Sequence, residues 1–128
     1  QSLGNEKLKI NDLERFSFLP NWTIEKLHGS IDLFVNFISF QEMEPDIVKN
    51  YAYHIQRLKP KYLLLRNMKE GKQVVSDSRI GVKKPIKRKD YFKFFANYEL
   101  IESSVLEYGF QTVDKFNSEL MVLKKLKE

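Results

Sequence analysis

Between Ile31 and Leu65 the spacing of apolar residues changes twice. Residues 31–40 (Ile-Asp-Leu-Phe-Val-Asn-Phe-Ile-Ser-Phe) are β-branched or aromatic and nearly continuous in apolarity. That is the pattern of a central strand covered on both faces. Glu44-Pro45 then opens a helix, because proline suits the first helical turn and Asp46 favours the positive end of the helix dipole. Ile47, Val48, Tyr51, Ile55 and Leu58 recur at helical spacing and make one apolar stripe. Lys59-Pro60 ends the helix. Residues 61–65 form a second apolar run. Strand, helix, strand predicts a βαβ unit with parallel strands and a right-handed crossover.

The pattern is weaker on either side. Residues 5–15 are mixed, weakly helical, with Asn11 or Asp12 as a cap, and about 1–15 is expected to be flexible. Residues 16–19 suggest a brief strand stopped by Pro20, and His28-Gly29-Ser30 reads as a turn. Residues 66–89 are polar and predict a long loop with a short strand at Val74-Val75. Its basic part spans about 69–89, and a loop of this length is often functional. Residues 90–95 predict a short helix capped by Asp90, its aromatic residues serving as core. Residues 98–106 and 119–126 predict two strands with a turn near Gly109. With no helix between them, they are expected to pair antiparallel.

The 128 residues suit one domain, and 42% hydrophobic against 30% charged residues excludes a disordered chain. Ten Phe and six Tyr predict an aromatic core. The absence of cysteine excludes disulfides and thiolate metal sites and is compatible with a cytoplasmic setting. The two His residues, His28 and His54, have no carboxylate at ligand spacing, so no metal site is expected. No stretch is long and apolar enough to span a membrane. The chain begins without Met, as expected of a processed or excised product. The net charge is +5, and much of it lies in residues 83–89 and 124–127. Such runs suit phosphates or anionic surfaces, although most charge runs are simply solvated.

Several segments carry a resemblance. The piece from Asp32 to Met43 holds Asn36, Ser39, Glu42 and Met43 in an Asn-x-x-Ser-x-x-Glu-Met arrangement. Before it stands Phe18-Leu19-Pro20-Asn21-Trp22. After it come Tyr62-Leu-Leu-Leu-Arg66-Asn67, Tyr98-Glu-Leu-Ile-Glu-Ser and the closing Leu120-Met-Val-Leu-Lys. From about Phe16 onward this resembles the C-terminal part of a sugar O-methyltransferase, a class I methyltransferase dependent on S-adenosylmethionine (SAM). The resemblance implies an α/β fold: the rear half of a Rossmann-like SAM-methyltransferase sheet, a parallel βαβ unit followed by an antiparallel C-terminal hairpin. It implies SAM as cofactor and a sugar or glycan hydroxyl as acceptor. One departure is large. Such enzymes hold SAM on a glycine-rich turn after their first strand, and Gly4, Gly29, Gly71, Gly81 and Gly109 are too scattered to build one. The chain is therefore expected to be a single partial domain, inactive alone.

Ligands of open α/β sheets bind beyond the carboxyl ends of the strands, and both parallel strands end in polar residues. The resemblance makes Glu42 the candidate base, since a carboxylate can take the hydroxyl proton. The alternative is a residue capping the following helix. Asn36 and Ser39 are candidates for cofactor binding, or strand-end residues satisfied locally. Gln41, Arg66 and Asn67 are candidates for the substrate side, and Arg66 could instead pair with Glu42. A bare edge along residues 31–40 invites a homodimer. A competing reading, a small basic module contacting nucleic acid or another anionic surface, ranks second.

Overall fold

A computed structural model describes residues 6–105 and 117–127. Its main sheet contains β3 (Leu33–Phe37), β4 (Tyr62–Met68), β5 (Tyr98–Val105) and β6 (Ser118–Lys125). The order across the sheet is β3-β4-β6-β5. Strands β3 and β4 are parallel, with Val35 opposite Leu64, whereas β6 lies antiparallel between β4 and β5. Two short strands, β1 (Leu8–Lys9) and β2 (Leu27–His28), pair in parallel beside it. The expected βαβ unit and closing antiparallel pair are both present, and the fold is the α/β sheet anticipated. The expected turn at Gly109 lies outside the described residues.

Alternation along β4 explains the core. Leu63, Leu65 and Asn67 are buried under α1 (Pro45–Arg57) and α2 (Arg88–Phe94), with Met121 and Leu123 of β6 beside them. From α1 come Val48, Ala52 and Ile55, and from the α2 region Tyr91 and Phe95. Each fully buried aliphatic side chain contributes about 1.5–3 kcal/mol relative to exposure. The Tyr98 hydroxyl donates to the Pro60 carbonyl at 2.7 Å, and burial raises its pKa to about 12, so the phenol stays a donor. Helix α1 starts at Pro45 as expected, and its C-terminal exit uses Lys59 at φ 50° before Pro60.

Several expectations are corrected. The first strand stops at Phe37, because Ile38 turns into the left-handed region at φ 67° and residues Phe40–Glu42 form a 3-10 turn. The strand is also not covered on both faces. It is the edge of its sheet, and Leu33, Val35 and Phe37 are exposed. Continuous apolarity reports what a face can bury, not whether this chain supplies the cover. Residues 16–19 form no strand, and the weak helix foreseen over 5–15 is only a 3-10 turn at Ile10–Asp12. His28 belongs to β2 rather than to a turn. Helix α2 begins two residues earlier than expected, at Arg88. Asp90 is its third residue, where its carboxylate accepts the Lys87 N–H at 3.0 Å.

The long loop is anchored, not loose. Val82 and Ile86 are buried. The Glu44 carboxylate accepts the Lys83 and Lys84 N–H groups at 2.7 and 3.1 Å. Gly71 has φ 85°, and a Cβ there would come within 2.7 Å of the Ile86 carbonyl oxygen, so only glycine lets the two segments lie this close.

Candidate functional site

The polar groups at the two parallel strand exits meet. Strand β3 leaves through Ile38, whose N–H donates to the Arg66 carbonyl at 2.6 Å. A β-branched residue at positive φ costs about 1–3 kcal/mol, and such strain persists only where surrounding structure enforces it. The next turn is fastened to β4. The Gln41 N–H donates to Asn67 Oδ1 at 3.2 Å, and Gln41 Oε1 accepts the Met68 N–H at 2.7 Å. Gln41 and Asn67 are both buried. They therefore act as a bolt between the exits, with Asn67 Nδ2 left buried and without a hydrogen-bond partner.

Glu42 projects from this bolt with its side chain 47% exposed. Its Oε1 accepts from Gln41 Nε2 at 3.1 Å and from Lys72 Nζ at 2.9 Å. Partial burial pushes its pKa up, but the Lys72 hydrogen bond, the Gln41 amide and the Lys72 charge together hold it below the usual carboxylate value. The group is thus ionised at neutral pH and able to accept a proton. The N-cap position of α1 is occupied by Glu44, whose carboxylate makes no capping hydrogen bond and holds the Lys83 and Lys84 amides instead. Arg66 Nε donates to Ser118 Oγ at 3.2 Å, which directs that side chain toward β6.

Asn36 and Ser39 bind each other, Nδ2 donating to Oγ at 2.5 Å, while Asn36 Oδ1 accepts the Phe40 N–H at 3.3 Å. This local pairing leaves the Ser39 hydroxyl hydrogen available to a ligand. Both residues line a cleft of about 490 Å³ along the bare edge of β3. Its walls are mostly apolar, with Phe34, Met43 and Tyr51 among them. Thr23 also lines it, and Thr23 Oγ1 is buried with no hydrogen-bond partner. Neither Thr23 nor Lys72 is marked as a site residue by local sequence pattern. Each reaches the site through a loop whose path periodicity does not give.

No family model and no curated protein sequence matches the chain. Solved structures do. A SAM-dependent methyltransferase from Methanosarcina mazei superposes with a TM-score of 0.56 at 16% identity, covering 77% of this chain and 61% of its own length. A type 11 methyltransferase from Sulfolobus solfataricus gives 0.49 at 18% identity, covering 77% of this chain and 52% of its own. The first likeness establishes the fold alone: a mixed α/β, Rossmann-like sheet similar to that of this neighbour. The chain spans about three-fifths of that neighbour's length.

The Lys72–Glu42 pair yields a direct test. Replacing Lys72 with Met should raise the Glu42 pKa, because burial pushes it up and only the Gln41 amide would then oppose that. NMR titration of the Glu42 carboxyl carbon reads this, and an unchanged midpoint would remove Lys72 as the cause.

Proposed function

We propose that this chain is the rear part of a SAM-dependent methyltransferase acting on a sugar hydroxyl, and that it is inactive without the remainder of that domain. The observation that carries the reading is the junction of the β3 and β4 exits, at the carboxyl end of a parallel pair, in a sheet whose fold is similar to that of a SAM-dependent methyltransferase. The cleft beside β3 fits part of the cofactor. It offers apolar walls for a flat ring, with the Ser39 hydroxyl and the unpartnered Thr23 hydroxyl as polar contacts. A glycine-rich cradle for the rest is not found in this sequence.

Bound SAM supplies an electrophilic methyl group on a sulfonium. A hydroxyl held at the strand exits would accept that methyl group and release its proton. Glu42 takes the proton released by the hydroxyl, and Lys72 keeps its carboxylate ionised. The bolt through Gln41 holds Glu42 in register with the β4 exit. A cysteine-free chain in which no described helix is long and apolar enough to cross a membrane supports a cytoplasmic setting for this reaction.

The bare edge of β3, with Leu33, Val35 and Phe37 exposed beside it, supports pairing with a second copy. Light scattering at high concentration should then give a dimer, and a monomer contradicts this. The alternative of a basic module for nucleic acid has less support, because the basic run is pinned to Glu44 and buries Ile86.

Expressed from its full reading frame, the protein should transfer a labelled methyl group from SAM to a sugar. Glu42→Gln should lower kcat by about a hundredfold with little change in KM. Calorimetry on the 128-residue chain alone should give a SAM Kd weaker than about 0.1 mM. Tight binding by that chain, or full activity in the Gln variant, contradicts the proposal.

A further inference from the structure

A second concavity lies at the same end of the sheet, where the turn after β4 meets the start of α2. It has a volume of about 460 Å³ and is lined by Lys69, Glu70, Lys87, Arg88, Lys89 and Phe92. The walls are fixed to each other. The Arg88 N–H donates to the Lys69 carbonyl at 3.0 Å, and Gly71 allows the close approach of residues 85–86. Arg88 is held by Glu119, its Nε lying 2.7 and 3.1 Å from the two carboxylate oxygens, and its guanidinium covers the Phe92 ring at 4.9 Å.

The charge balance of this groove is one-sided. Glu119 is 2% exposed and neutralised by Arg88. Glu70 accepts the Asn117 N–H at 3.0 Å and Asn117 Nδ2 at 2.9 Å and keeps its negative charge, which these bonds and the nearby Lys69 favour. Among the described residues, Lys69, Lys87 and Lys89 make no ion pair within 4 Å. Three lysines that make no ion pair among the described residues thus line one groove beside the Arg88–Glu119 pair. The position is also informative: Lys69 follows β4 directly, and Lys72, three residues on, holds Glu42.

We infer that this groove binds a phosphate group carried by the acceptor, so that the sugar to be methylated is a phosphorylated one. The inference rests on the methyltransferase reading for the word acceptor, but the anion site stands on the groove itself. Three lysines around a short groove match one or two phosphates, whereas a nucleic acid would need a longer basic track with exposed aromatics along it. Strongly hydrated lysine ammonium groups suit a phosphate as point charges, and the attraction is weakened by salt.

The test uses the full 128-residue chain without SAM, so that its failure is separable from failure of the methyltransferase reading. Calorimetry at low and at physiological salt compares glucose 1-phosphate, inorganic phosphate, glucose and a single-stranded oligonucleotide. Glucose 1-phosphate should bind, glucose should not, and binding should weaken with salt. Inorganic phosphate should bind more weakly than glucose 1-phosphate. The triple variant K69Q/K87Q/K89Q should lose at least about tenfold in affinity. K49Q, on the exposed side of α1, should lose nothing. The single variant K89Q should show a smaller loss in the same direction, which guards against misfolding of the triple. Equal binding of glucose and its phosphate, unchanged affinity in both groove variants, or an oligonucleotide binding more tightly than the sugar phosphate would each overturn the assignment.

Discussion

The backbone of β4 is hydrogen-bonded along both edges, parallel to β3 from Tyr62 to Arg66 and antiparallel to β6 from Tyr62 to Met68. A strand committed on both sides cannot shift register without turning Leu63, Leu65 and Asn67 away from the helices that bury them. Its register therefore fixes where the β3 exit, the β6 insertion and the turn at Lys69 stand. The candidate chemistry lies where this constraint is strongest. Gln41 engages the last residues of β4 through both its backbone and its side chain. Ile38 is held at a costly positive φ beside it.

That arrangement changes the meaning of the polar residues. Gln41 and Asn67 tie the two strand exits together, and Asn67 Nδ2 remains buried without a hydrogen-bond partner. Glu42, Ser39 and the unpartnered Thr23 are the other polar candidates beside this junction. Lys72 sets the ionisation of Glu42. The basic loop divides in the same way. Its Lys83 and Lys84 amides secure the loop to Glu44, whereas Lys69, Lys87 and Lys89 face the groove.

The βαβ unit was legible because Ile31 to Leu65 carries two unambiguous periods and a proline at each end of the helix. The antiparallel pair was legible from two apolar runs without a helix between them, but the place of β6 between β4 and β5 was not. Three further features were not legible. The positive φ of Ile38 arises from tertiary contacts, since local propensity places a β-branched residue in a strand. The exposure of Leu33, Val35 and Phe37 depends on which faces the chain covers, and hydrophobicity does not encode that. The Lys72–Glu42 pair joins residues thirty positions apart across a loop. The candidate residues named from the resemblance meet at the carboxyl ends of β3 and β4, but the linking of Gln41 to β4 emerged only from the structure.

The claim on which the rest stands is that Gln41 bolts the two strand exits together. Hydrogen exchange of the Met68 amide measures it most directly, because that N–H donates to Gln41 Oε1. Loss of a buried hydrogen bond costs about 1–3 kcal/mol, which corresponds to roughly a tenfold to hundredfold faster exchange. The account predicts a protected Met68 amide that becomes faster by this factor in Gln41→Ala, with the Leu63 and Leu65 amides unchanged. A Met68 amide that exchanges equally fast with and without the Gln41 side chain would contradict it.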